Sequence, residues 1–221
     1  MDSTEFKTIA FPGEETKYIY VDDEALNYLT ALLAQQIVSN ERNIDYLVPL
    51  AKGGWTVARS LFGYLHVSHL KLDKTATLGV GSYDGIGRKG EARMNQQFSQ
   101  QQETEMKGKS VLVVDDLTDT GEQLTLVKSY LESLGVERVI LAALFRKPRS
   151  TAALDYWVKE TTHWIIFAYE ALETMEELDQ IWQNNGIDKE EIKRRFVEIG
   201  FGKQAIEHYW ASRKRLEQTP A

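Results

Sequence analysis

The chain has 221 residues, 43% of them hydrophobic and 27% charged, which suits one full globular domain with a small appendage. Its net charge of −7 argues against broad electrostatic binding to nucleic acid or an anionic membrane, and the absence of cysteine excludes disulfides and thiolate metal sites. The apolar runs are too short to span a bilayer and MDSTEFKT has no apolar signal core, so a cytoplasmic protein without a membrane partner is expected.

KYIYV (17–21) alternates apolar and polar residues and predicts a strand, with Asp22 and Asp23 placed to cap a helix after it. From Ala25 to Val38 the apolar residues Leu26, Leu29, Leu32, Leu33 and Ile37 recur at helical spacing. IDYLVPL (44–50) reads as a buried strand that breaks into Ala51-Lys52-Gly53-Gly54, and a helix is expected from Thr56 to about Leu65. Residues 69–84 hold one or two strands. Gly85 to Met106 is polar, rich in Gly and Gln, and without periodicity, so a long functional loop is expected there. The strand VLVV (111–114), a helix from Glu122 to Leu134 and the strand RVILAALF (138–145) come next. Strands alternating with helices predict an α/β domain with a mainly parallel central sheet flanked by helices, over 1–170. Thr174 with Glu177 and Asp188 with Glu191 match capping boxes, and Gly186 and Gly200 match helix stops. They predict a C-terminal helical extension over 171–221, with helices near 175–185, 189–199 and 203–217.

The densest chemistry lies in VLVVDDLTDTGEQL (111–124). In a parallel sheet, ligands sit beyond the carboxyl ends of the strands, where Asp115 and Asp116 follow Val114. Two adjacent carboxylates there suit sugar hydroxyls, or a divalent cation brought by a phosphate. Asp119-Thr120-Gly121 then turns into a helix N-terminus, whose free N–H groups and dipole attract an anion. The plainer reading is a strand-turn-helix whose acids only cap the helix.

The complete string resembles the signature of the type I phosphoribosyltransferases, and the resemblance runs along most of residues 17–170. It is nearest the xanthine/guanine and hypoxanthine/guanine members. The resemblance implies binding of 5-phosphoribosyl 1-pyrophosphate by Asp115, Asp116, Thr118, Thr120, Gly121, Glu122 and Gln123. It makes Asp119 the base that accepts a purine proton, with magnesium held at Asp115 and Asp116. PLAKGGW (49–55) resembles the pyrophosphate loop, which adds Ala51, Lys52, Gly53 and Gly54. SYD (82–84) resembles the start of a mobile catalytic loop, with Ser82 and Tyr83 in it. FRKP (145–148) resembles the segment whose lysine bonds a purine 6-oxo group; Lys147 fits that role, and Arg146 competes for it. HWIIFAYE (163–170) resembles the base-binding segment, with Trp164 stacking on the base, Ile165 offering its main chain and Glu170 at the late acidic position. The implied function is purine salvage: transfer of a phosphoribosyl group to a 6-oxopurine, giving a nucleoside monophosphate and pyrophosphate.

Glu122-Gln123 stands where the family has a Thr or Ser that touches phosphate, and Ala168-Tyr169 replaces its Pro-Trp. Two alternatives therefore stay open: a non-catalytic nucleotide-sensing regulator on the same fold, and a phosphoribosyltransferase for a different base. GIGRKG (85–90) matches a dinucleotide-binding pattern, but no amphipathic helix comes after it. The clusters KRR (193–195) and RKR (213–215) sit in a segment with 8 Lys+Arg against 10 Asp+Glu, which argues against nucleic-acid binding. Phe196, Phe201, Tyr209 and Trp210 are expected to pack the C-terminal helices on the core or at a homo-oligomer contact. The four histidines have no metal-ligand spacing and are read as structural.

Overall fold

The structure, a computed structural model, describes residues 5–82 and 92–218. The strands, in chain order, are β1 (Ile9–Ala10), β2 (Lys17–Val21), β3 (Tyr46–Ala51), β4 (Leu78–Ser82), β5 (Ala92–Gln96), β6 (Ser110–Thr118), β7 (Arg138–Arg146), β8 (Tyr156–Glu160) and β9 (Trp164–Phe167). The helices are α1 (Asp23–Asn40), α2 (Gly53–Val67), α3 (Gln100–Met106), α4 (Glu122–Ser133), α5 (Ala171–Asn184), α6 (Lys189–Ile199) and α7 (Lys203–Gln218). The chain forms two compact units: a continuous one, Leu26–Thr162, and a discontinuous one made of Met1–Ala25 with His163–Ala221.

The continuous unit is built on a six-stranded sheet in the order β5-β4-β3-β6-β7-β8. All neighbours run parallel except β5, which lies antiparallel on β4. This is the expected mainly parallel α/β architecture. Alternation along the strands divides the side chains between two faces. Tyr46, Val48, Val111, Val113 and Leu141 join Leu124, Val127 and Leu131 of α4 in one apolar cluster. The opposite face carries Leu47, Leu112, Val114 and Ile140, all fully buried, and α2 packs on β3 and β6. Pro49 is tolerated inside a central strand because β3 changes partner there, pairing with β6 through Pro49 and with β4 from Leu50.

The long loop expected over 85–106 is corrected in its second half. Residues 92–96 form the edge strand β5, and 100–106 form α3, whose N-cap Ser99 makes a full capping box with Gln102. Neither shows in the hydrophobic pattern, since β5 is an edge strand and α3 buries only Met106. GIGRKG and Tyr83 lie outside the described residues, while the backbone of Ser82 ends β4.

In the discontinuous unit β2 pairs antiparallel with β1 and parallel with β9, in the register Tyr18↔Trp164 to Val21↔Phe167. Helices α5 to α7 complete a core rich in aromatic rings, including Phe11, Tyr18, Trp182, Phe196, Phe201 and Tyr209. The expected anchors Phe196, Phe201, Tyr209 and Trp210 all belong to it. Two charged groups are buried within this core with their partners supplied. Arg195 donates to Glu14 and to Glu191 and lies over the rings of Phe11 and Trp182, at 4.7 and 5.1 Å. Asp179 accepts from the Tyr209 hydroxyl and the Gln183 amide, both at 2.6 Å. Asp188 caps α6 as expected, and Gly186 and Gly200 stop helices with φ of 79° and 108°. Thr174 is not a cap: α5 starts earlier, at Ala171, and buries Thr174 in its interior. The KRR cluster is used within the unit, since Lys193 pairs with Glu190 and Arg194 with Glu191 and Glu198. Among the described residues no helix is long and apolar enough to cross a membrane.

Candidate active site

The carboxyl ends of β3, β6 and β7 bring most of the predicted residues of the continuous unit to one edge of the sheet. The expected stop of the strand at Val114 is corrected, because β6 continues through both acids to Thr118, held by its long neighbour β7. Asp115 is only 8% exposed, and its carboxylate accepts the backbone N–H of Asp116 at 3.0 Å and that of Gly54. Burial, then the adjacent Asp116 charge, holds its carboxyl well above the usual carboxylate range. Asp116 accepts the N–H of Leu117 at 2.7 Å.

Gly53 and Gly54 are required here by contact. A Cβ on Gly53 would overlap the Asp116 carboxylate, and one on Gly54 would lie 2.5 Å from the Val114 carbonyl oxygen. Only glycines let the first turn of α2 rest on the end of β6. Lys52, which precedes α2, is exposed and makes no side-chain cap, and the Ala51–Lys52 peptide is cis. The first turn of α2 contains no acidic residue of its own, and the carboxylates of Asp115 and Asp116 meet its positive end from the end of β6.

The second turn, Thr118 to Gly121, is backed by the segment after β7. The Lys147 N–H donates to the Thr118 carbonyl at 2.9 Å, and the buried hydroxyls of Thr118 and Ser150 share a 2.9 Å bond. Thr151 donates to the Thr120 carbonyl from its N–H at 2.8 Å and from its hydroxyl at 3.0 Å. Gly121 has φ of +89° and sits against Ala152 with no space for a Cβ. It begins α4, whose first residue Glu122 points to solvent while Gln123 is half-buried. The helix therefore offers its N-terminal N–H groups without a charge blocking them.

Arg149 reaches back from this segment and grips Asp119 with a two-pronged fork, Nε to one carboxylate oxygen at 2.7 Å and an Nη to the other at 2.6 Å. Lys147 is buried, which pulls its pKa down; the Asp119 charge opposes that and the Arg149 charge adds to it. Arg146, the competitor for the role given to Lys147, lies over the Trp157 ring and 3.8 Å from Glu160. The sequence reading stopped at FRKP and missed Arg149, Ser150 and Thr151. The signal was three consecutive hydrogen-bonding residues directly after a proline two residues past the end of a strand.

Trp164, Ile165 and Glu170 belong to the discontinuous unit. Trp164 opens β9 with its ring tilted against Tyr18 at 6.0 Å, Ile165 is buried, and Glu170 accepts the Phe167 N–H at 3.2 Å. His66 and His69 bond main-chain carbonyls, of Leu72 and Glu41, in agreement with structural roles. Among the described residues no group of three or more His, Cys, Asp or Glu converges on a point.

The model of the phosphoribosyl transferase domain matches residues 20–173. The xanthine-guanine phosphoribosyltransferase of Desulfotalea psychrophila is 28% identical over 126 residues, 56% of this chain and 69% of that protein. The crystal structure of a purine phosphoribosyltransferase from Pyrococcus horikoshii superposes with a TM-score of 0.58 at 25% identity, over 68% of this chain and 92% of that one. The Helicobacter pylori xanthine-guanine-hypoxanthine phosphoribosyltransferase shares the fold, with a TM-score of 0.55 at 19% identity over 72% and 97% of the two chains. With the family's domain matched across most of its length and the acid pair and Asp-Thr-Gly turn in place at the strand ends, the chain belongs to the phosphoribosyltransferase family of pentosyl-transferring enzymes.

Proposed function

We propose that the protein is a purine phosphoribosyltransferase, moving the 5-phosphoribosyl group of 5-phosphoribosyl 1-pyrophosphate to a ring nitrogen of a 6-oxopurine. The observation that carries this reading is the meeting of an acid pair with two helix N-termini in one unit: Asp115 and Asp116 lie under the glycine start of α2 and just before the start of α4. In the reaction the C1–O bond to pyrophosphate breaks and its electron pair leaves with pyrophosphate. A C1–N bond forms from the base, and that nitrogen gives up its proton. Positive charge builds on the ribose ring as the first bond weakens, so the carboxylates of Asp115 and Asp116 both hold the ribose hydroxyls and face the developing charge.

The free N–H groups at the start of α4 suit the 5-phosphate, and the Ala51–Gly54 turn suits the pyrophosphate. Asp119 takes the purine proton. Lys147, buried and beside Asp119, donates to the 6-oxo group and disfavours adenine, whose amino group cannot accept that bond. The donor set fits a hard divalent cation, because two adjacent residues carry carboxylates and that of Asp115 is buried. Magnesium bound there would neutralise charge on the departing pyrophosphate.

The test is to supply magnesium, phosphoribosyl pyrophosphate and, in turn, hypoxanthine, guanine, xanthine and adenine, and to follow nucleotide formation. One of the three oxopurines is expected to turn over well ahead of adenine. Tight binding of phosphoribosyl pyrophosphate with no turnover on any base would replace this reading with the nucleotide-sensing one.

A further inference from the structure

We propose that Arg149 is a positioning residue that presets the Asp119 carboxylate for the purine proton. This deepens the function proposed above and rests on Asp119 as the base. Helix capping does not explain the carboxylate, since the N-cap of α4 is Gly121 and the Glu122 N–H of its first turn donates to the Thr120 hydroxyl, at 3.5 Å. Stability does not explain the pair either, because the two side chains are 64% and 36% exposed and surface ion pairs contribute little. What distinguishes it is the anchoring of both backbones. On either side of Arg149, Lys147 is bonded to Thr118, and Ser150 and Thr151 to Thr118 and Thr120, the residues flanking Asp119. Two side chains rooted in backbones fixed in mutual register lose little freedom when they pair. The planar fork then sets the tilt of the carboxylate about its own axis.

The test compares wild type, Arg149→Gln, Arg149→Lys, Asp119→Asn and the double variant Asp119→Asn/Arg149→Gln in the purine assay. Arg149→Gln is expected to lower kcat at least about thirtyfold while KM for phosphoribosyl pyrophosphate stays within about threefold, as for a misaligned group. Arg149→Lys recovers only part of the loss, because an ammonium cannot form the fork. The double variant is no slower than Asp119→Asn alone, since Arg149 acts only through Asp119. A kcat within about threefold of wild type in Arg149→Gln, equal changes in kcat and KM, or additive losses in the double variant would each overturn the proposal. Absence of turnover in wild type is a different failure, that of the enzyme reading. Amide hydrogen exchange across 119–123 then decides for Arg149: faster exchange in Arg149→Gln keeps it as organiser of the turn, and unchanged exchange removes it.

Discussion

The turns at 51–54 and 118–121 both carry a parallel strand into a helix N-terminus, yet they are held in place by different means. The first is held mainly by close fit, with Gly53 and Gly54 resting on Asp116 and Val114 and the Asp115 carboxylate accepting the Gly54 N–H. The second is held by hydrogen bonds from Lys147, Ser150 and Thr151, with Gly121 wedged against Ala152. A turn held by fit depends on atoms that are absent, and it fails abruptly when one is added. A turn held by hydrogen bonds depends on donors and acceptors, and it loosens one bond at a time.

The sharpest way to break this contrast is to add a single methyl. Gly54→Ala pushes on a backbone carbonyl, and Gly121→Ala adds left-handed strain to its clash with Ala152. Each is expected to cost about 3 kcal/mol in urea unfolding; a midpoint equal to wild type in either would refute the fit argument. Next in size, Asp119→Asn should lower kcat about a hundredfold or more while binding of phosphoribosyl pyrophosphate changes about threefold at most. Equal losses in rate and binding would remove Asp119 from the role of base. Third, Ser150→Ala strands the buried Thr118 hydroxyl and should cost about 1–2 kcal/mol. Adding Thr118→Val should recover part of that loss by removing the orphan, and a larger loss in the double variant would count against the bond.

The smallest effect has the opposite sign. Burial and Asp116 raise the Asp115 carboxyl in the folded protein, so the native state binds more protons than the unfolded chain and loses stability as pH rises through that raised value. Asp115→Asn should therefore unfold at higher urea than wild type at about pH 8, with the gain vanishing below about pH 4, where both states hold the acid protonated. The same variant should lose turnover. A pH-independent difference in stability would show that the carboxyl is not the cause.

The strand-turn-helix of 111–133 was legible because burial and the proposed catalysis use the same short string: an apolar run, two acids and a glycine that must adopt φ of +89°. The C-terminal helices were legible from Asp188, Gly186 and Gly200, whose capping chemistry is local. β5 and α3 were not, because an edge strand with few apolar residues and a helix burying only Met106 leave no periodic trace. The Ser99–Gln102 box was the one sign of α3. The role of Arg149 was missed for a different reason: its partner lies 30 residues away and is brought close by the parallel pairing of β6 with β7. Sequence pattern records what a residue does for its own element, and Arg149 does nothing for its own.

The split of the chain into a continuous and a discontinuous unit also fixes an order of events during synthesis. Leu26–Thr162 holds all six strands of its sheet and the whole apolar cluster between that sheet and α4, which favours its folding while the rest of the chain is still emerging. Phe11 and Tyr18 leave the ribosome before that unit and have only short β1 and β2 to join. Their core partners Trp182 and Phe196 arrive more than 150 residues later. Until then β1 and β2 lack most of their core, so these strands, made before the continuous unit, are among the last elements to become native.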